Sequence, residues 1–291
     1  MLTLTFLGVG NAFAKRNLQS NALVESWSAA PDQQREPDHT LLIDFGTTGP
    51  QALHRLKDIA GFDYLNRDGT ADTTKIGHVF ITHQHGDHIG GLEELILMNT
   101  FTYATDGAGF RPQLTSAPVI LERLWECSLK GGLEVVNGRE AKLEDYFILR
   151  PAGVGTGDTA RVAWGGRYEI EPFKTDHVRL KAKYDWPSLG LLIRDTVSGR
   201  SVFFSGDTGF DFDAYGNMMG EAELVFHEVH LGDEELPVHS SLRQMRTLPA
   251  EIKRKTHLYH YGDDWDSGTY DVVEREFAGF ARPFHRYVLF D

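Results

Sequence analysis

The sequence predicts an α/β protein, and three observations carry the prediction. Short apolar runs of strand length recur along the chain, helical spacing separates several of them, and no internal repeat appears. No linker or break in composition is visible, so residues 1–291 read as a single domain.

Residues 2–10 read as a strand, because Leu2, Leu4 and Phe6 alternate with Thr3 and Thr5 before the run ends at Gly8-Val9-Gly10. Residues 28–39 are polar and contain Pro31 and Pro37, so they read as a loop. Leu41-Leu42-Ile43-Asp44-Phe45 is a second apolar run, stopped by Gly46, and Leu53, Leu56 and Ile59 share helical spacing over 50–60. Residues 79–82 form a strand, followed by a polar loop and a helix from Gly91 to Asn99. Residues 118–129 read as helical. The glycine-rich stretches 105–116 and 153–166 read as irregular, suited to a lid or a pocket lining. Residues 168–173, 189–194, 202–205, 224–228 and 258–260 read as strands, and a tail covers 282–290.

The chain has 291 residues, of which 41% are hydrophobic, enough to bury a large core. A charged fraction of 24% is ordinary for a globular protein. The net charge of −13 weighs against a broad grip on nucleic acid. The one cysteine, Cys127, cannot form an internal disulfide, which points to a reducing compartment, the cytoplasm. Cys127 lies in Leu124-Trp125-Glu126-Cys127-Ser128-Leu129 and reads as a core residue of a packed helix, not as a nucleophile. The first residues, Met1 to Leu7, have neither the basic region nor the long apolar run of a signal peptide. No stretch approaches the 18 apolar residues of a membrane span.

The most informative string is Thr82-His83-Gln84-His85-Gly86-Asp87-His88-Ile89-Gly90-Gly91, directly after Val79-Phe80-Ile81. It places four side chains able to hold a metal, His83, His85, Asp87 and His88, on one tight loop leaving a strand. Gly86, Gly90 and Gly91 supply the backbone freedom such a loop requires. Imidazole and carboxylate donors without thiolate suit zinc first, with manganese and iron open.

This string resembles the metal-binding motif of the metallo-β-lactamase superfamily. The resemblance implies a four-layer αβ/βα sandwich with metals at the strand ends between two sheets, and metal-dependent hydrolysis of a substrate it does not name. It also implies three later ligands in chain order: a histidine, a bridging aspartate and a last histidine. His177, close after a strand, matches the first, and Asp207, behind Gly206 at the end of a buried strand, suits the bridge. The last is His257 or His260, and His260, at the strand end before Gly262, matches better. One ion then takes His83, His85, His177 and Asp207, and the other Asp87, His88, Asp207 and His260. Two ions sharing a carboxylate sit roughly 3.5 Å apart and hold a bridging hydroxide as nucleophile. His39, His54, His78 and His285 read as surface or structural residues.

Three further strings resemble the ribonuclease Z group within that superfamily: Gly8-Val9-Gly10-Asn11 with Arg16-Asn17 and Ser20; Leu42-Ile43-Asp44-Phe45-Gly46; and His227-Glu228-Val229-His230 followed by His239-Ser240-Ser241. The resemblance implies that His239 protonates the leaving oxygen of a scissile phosphate and that Glu228 orients it. With Asp87, these are the catalytic candidates; Arg16, Asn17, Ser240 and Ser241 are the candidate substrate contacts, and a homodimer is implied. Position 230 is His where the pattern has Thr, and Thr47-Thr48-Gly49-Pro50 departs from the pattern after the aspartate turn. The 30 residues from His177 to Asp207 leave no room for the long arm with which ribonuclease Z proteins hold tRNA, and the basic segment 179–183 is short.

The reading that follows is a binuclear metal-dependent phosphodiesterase acting on a small phosphodiester, a cyclic nucleotide or cyclic phosphate. Three alternatives stay open: a ribonuclease Z-type tRNA 3′-end endonuclease, a glyoxalase II-like thioesterase or lactonase, and a catalytically silent metal- or nucleotide-binding protein. Only 31 residues follow His260, short for the helical C-terminal region of glyoxalase II-like proteins.

Overall fold

The computed structural model describes residues 1–29, 35–103, 109–154, 161–178, 186–232 and 234–291. The basic segment 179–183, residues 30–34 of the proline-containing loop, and residues 105–108 and 155–160 of the glycine-rich stretches lie outside the described residues. The α/β class expected from the alternation is realised as two seven-stranded sheets with helices between strands. The chain divides into two compact units, one of Met1–Gly8, Gln19–Pro151 and Phe284–Asp291, the other of Val9–Leu18 and Ala152–Pro283. Their residues interleave along the chain, so no single boundary exists for a composition break to mark.

In the first unit the strand order is Ile148–Pro151, Gln113–Ser116, His78–Phe80, His39–Ile43, Asn21–Ser26, Leu2–Gly8 and Arg286–Phe290. Leu2–Gly8 runs antiparallel to both its neighbours, whereas His39–Ile43, His78–Phe80, Gln113–Ser116 and Ile148–Pro151 are parallel. Every residue of Leu2–Gly8 and of Asn21–Ser26 is buried, polar ones included. Buried Glu25 is satisfied by Arg286, whose Nε and Nη2 donate at 3.0 and 3.1 Å, and by the Tyr64 hydroxyl at 2.8 Å. That network ties the last strand to the second across the first. Pro50 stands at the start of helix Gly49–Leu56, where its missing N–H costs nothing, and Ala52, Leu53 and Leu56 face the core.

Residues 113–116, expected to be irregular, form a strand, as does Val162–Trp164 in the second glycine-rich stretch. The helix Pro118–Leu124 continues into a π-helical turn, Trp125–Leu129. Leu124 and Leu129 are both buried although five residues apart, so the wider turn swings Cys127 outward. Cys127 is exposed, which corrects the core position expected for it.

In the second unit the order is Val162–Trp164, Tyr168–Thr175, Ser188–Asp195, Ser201–Phe204, Leu224–Glu228, Thr256–Tyr259 and Gly279–Phe280. The first three pairings are antiparallel and the last three parallel. The helix Phe212–Glu221 makes the crossover from Ser201–Phe204 to Leu224–Glu228, and the Asp211 carboxylate caps it by accepting the Ala214 N–H at 3.0 Å. Parallel strands send their C-terminal ends the same way, so the segments carrying Asp207, Glu228 and His260 leave from one end of this sheet. No helix among the described residues is long and apolar enough to cross a membrane.

Candidate metal centre

Each unit carries one cluster of histidine and carboxylate side chains. In the first, the string after His78–Phe80 turns at once into the short helix Gly86–Ile89 with His85 as its N-cap. Nε2 of His83 lies 3.0 Å from Nδ1 of His85, and the His83 ring is 4.1 Å from that of His88. Nε2 of His88 is 3.3 Å from Oδ2 of Asp87. The structure thus brings His83 beside His85 and His88, and Asp87 beside His88.

What aims His88 is Asp44. Its Oδ2 accepts the Nδ1–H of His88 at 2.8 Å and the hydroxyl of Thr82 at 2.7 Å, and its Oδ1 accepts the Thr82 N–H at 2.8 Å. Burial pushes this carboxyl up from its usual range, and His88 and Thr82 pull it back. Asp44 adopts a left-handed φ of 60°, and a Cβ on Gly46 would collide with the carbonyl oxygen of Asp87, so the turn Asp44-Phe45-Gly46 is built for close approach to the histidine loop. The sequence shows this turn as a pattern, without a signal that Asp44 takes part in the site.

In the second unit Asp207 follows Gly206, whose φ is 57°, and the hydroxyls of Thr175 and Ser188 both donate to the Asp207 carbonyl at 3.0 Å. Oδ2 of Asp207 lies 3.1 Å from Nε2 of His260 and 3.9 Å from Nε2 of His177. The Nδ1–H of His177 donates to the Val238 carbonyl at 2.6 Å, which directs Nε2 toward Asp207. Burial holds the His177 pKa below the ordinary histidine value, which favours the neutral ring, the form a metal needs. His260 has a φ of 65°, held by its N–H on the Val9 carbonyl at 2.7 Å. His257, on strand Thr256–Tyr259, stacks on Phe226 instead, so His260 is the histidine that joins Asp207.

His239 stands beside these groups. Its ring is 4.9 Å from that of His177 and 5.0 Å from that of His260, and its Nδ1 is 3.4 Å from Oε1 of Glu228. Glu228 is fully buried, and its Oε1 also accepts the N–H groups of Ser240 at 2.9 Å and Thr208 at 3.2 Å. The His239 side chain is 22% exposed, so it can reach solute while Glu228 holds it from behind.

The remaining expected residues have structural placements. Ser240 and Ser241 are fully buried: the first donates its hydroxyl to the Thr208 carbonyl at 3.1 Å, and the second caps helix Leu242–Met245. Both hydroxyls have partners within the segment that presents His239 or beside it. Arg16 pairs with Asp266 at 2.7 Å, and the Asn17 amide donates to the Gly262 carbonyl at 3.1 Å, so both are loop anchors. His78 is buried with Nε2 2.7 Å from the Thr115 hydroxyl, and His39, His54 and His285 are exposed.

Groups of imidazole and carboxylate atoms within 4.8 Å of one another, His177 with Asp207 and His239, and Glu228 with His239 and His260, can hold a metal ion. The donor chemistry, neutral imidazole and carboxylate without thiolate, fits zinc, manganese or iron.

A model of the family described as "Anti-Pycsar protein Apyc1" matches residues 2–287. The Anti-Pycsar protein Apyc1 of Paenibacillus sp. (strain J14) is 35% identical over 269 residues, covering 91% of each chain. That of Bacillus phage vB_BsuM-Goe3 is 33% identical over 265 residues, covering 90% of this chain and 89% of its own. Among solved structures, the metallo-beta-lactamase fold protein YhfI from Bacillus subtilis is similar at a TM-score of 0.66 and 15% identity, covering 98% of both chains. Unliganded yeast PDE1 is similar at a TM-score of 0.69 and 13% identity, again covering 98% of both. The fold is of the metallo-β-lactamase type.

Proposed function

Because this chain belongs to the Anti-Pycsar protein Apyc1 family, we propose that it is a metal-dependent phosphodiesterase that hydrolyses a cyclic nucleotide or another small cyclic phosphate. The observation that carries the reading is the pairing of His239 with Glu228, 3.4 Å apart, beside the His177, Asp207 and His260 cluster. A hydrolase needs an acid for its leaving group next to the place where the phosphate is held, and this pairing supplies one.

In this reading His83, His85, Asp87, His88, His177, Asp207 and His260 are the residues that would hold the divalent metal ions. Ions bound there would polarise the phosphate and lower the pKa of an attacking water. Asp44 and the Val238 carbonyl keep His88 and His177 in the tautomer that presents Nε2. Glu228, whose Oε1 lies 3.4 Å from Nδ1 of His239, stabilises the protonated ring by its charge, and Nε2 of His239 then passes a proton to the ribose oxygen as the phosphorus–oxygen bond breaks. The net charge of −13 and the short span from His177 to Asp207 favour a small substrate over tRNA. A cytoplasmic homodimer completes the proposal.

The test is turnover of a panel of cyclic nucleotides and cyclic phosphates by the metal-loaded protein, beside thioesters and lactones. Asp207→Ala should abolish turnover, and His239→Ala should lower kcat by about 100-fold or more. Hydrolysis of thioesters or lactones with none of any phosphodiester would overturn the proposal.

A further inference from the structure

Phe13 is 86% exposed, the most exposed large hydrophobic side chain among the described residues. It stands on the loop Val9–Leu18 of the second unit, which is fastened along its length. The loop is closed by the Gly10 N–H on the Leu18 carbonyl at 2.7 Å and the Val9 N–H on the Asn17 carbonyl at 3.1 Å. The Asp263 carboxylate accepts three successive N–H groups, of Lys15, Arg16 and Asn17, at 2.6, 3.1 and 3.1 Å. Burial resists ionisation of Asp263, but these N–H groups outweigh it and hold the carboxyl below its usual range. The Phe13 N–H itself donates to the Asn11 side chain at 3.0 Å. A loose loop could fold its phenyl ring against the protein; this one is pinned with the ring in water, which apolar surface disfavours.

The same loop touches the candidate metal centre. Val9 accepts the His260 N–H, Gly10 bridges to Tyr261, and the Asn11 N–H donates to the Tyr261 carbonyl at 3.2 Å. Phe13 is three residues beyond Gly10, so its Cα lies within about 11 Å of Gly10, which bridges to Tyr261, the neighbour of His260. The nearby aromatics Tyr261 and Trp265 are packed on Phe280, with ring centroids 4.8 and 5.3 Å away. Phe13 is the ring that is presented outward.

We propose that Phe13 is the stacking platform for the nucleobase of the substrate, placed by the Asp263-anchored loop while the phosphate lies at Asp207 and His260. This rests on the phosphodiesterase reading and adds to it the residue that receives the base. Every base has a π-face, so one phenyl ring gives affinity with little choice among bases.

The test compares a nucleoside 3′,5′-cyclic phosphate with the 3′,5′-cyclic phosphate of 1-O-methylribose, which has no base. Phe13→Ala should shrink the wild-type preference for the nucleotide by about tenfold, through KM rather than kcat, and Phe13→Trp should restore it. Binding of a slowly hydrolysed nucleoside cyclic phosphorothioate, followed by calorimetry, should weaken by the same factor. An unchanged preference in Phe13→Ala would overturn the assignment and leave the phosphodiesterase reading standing. A change of oligomeric state in Phe13→Ala, seen by light scattering, with the preference intact would assign the ring to a contact between copies instead. A wild-type protein inactive on both substrates would remove the underlying reading, and the stacking role with it.

Discussion

The Asp44 carboxylate lies 2.8 Å from Nδ1 of His88, and both side chains are buried. Through that contact a residue that need touch no metal decides which ring nitrogen His88 presents. Asp44→Ala should lower metal affinity by about 10- to 100-fold, since the carboxylate partners of ligating histidines contribute that much. Competition with a chromophoric chelator measures it. An unchanged affinity would mean that His88 needs no such support.

The His239–Glu228 pair predicts a dependence on leaving group. With a cyclic nucleotide, whose leaving alkoxide needs a proton, His239→Ala should lower kcat by about 10²- to 10⁴-fold. With bis-p-nitrophenyl phosphate, whose leaving group departs unprotonated, the same variant should lose far less. Equal losses on both would assign His239 a role other than proton donation.

His78 predicts a pH dependence of stability. Burial lowers its pKa from 6.5 to about 4, with a smaller push from Arg150. The unfolded chain therefore binds more protons in that window, so stability is full above 6.5 and falls as pH drops toward 4. A shift of this size corresponds to roughly 3 kcal/mol. In urea titrations of metal-free protein, His78→Gln should flatten the curve between pH 6.5 and 4 by an amount of that order.

Arg286 should matter for folding rather than for activity. Its guanidinium is paired with buried Glu25, 3.0 Å away, and lies over the Phe62 ring at 4.0 Å. Arg286→Ala leaves a buried carboxylate without its cation and should cost about 3 kcal/mol in urea unfolding, with KM unchanged in the protein that remains folded.

The string from His83 to His88 was legible as a candidate metal site because its donors are local: four potential ligands on one turn need no knowledge of the rest of the chain. Other features were hidden by distance in sequence. Asp44 is 44 residues from His88, and Glu25 is 261 residues from Arg286. Without that arginine in view, Asn21–Ser26 looks too polar for a buried strand, yet it is one. Helix Phe212–Glu221 was concealed by Gly216 and Gly220, poor helix formers; Gly216 is required because a Cβ there would lie 2.7 Å from the Phe212 ring. Ser240 and Ser241 follow His239 directly, and their burial and the helix cap made by Ser241 depend on packing that the string itself does not show.

The pairing of Leu2–Gly8 with Arg286–Phe290 has a consequence for synthesis. Nearly the whole polypeptide must leave the ribosome before the first strand meets its outer neighbour. Until then the edge of a strand that is buried throughout in the folded protein stays open, a template for pairing with other nascent chains. A product cut short before residue 286 can never close that edge, so prematurely terminated copies should be recognised by chaperones and proteases as unfinished.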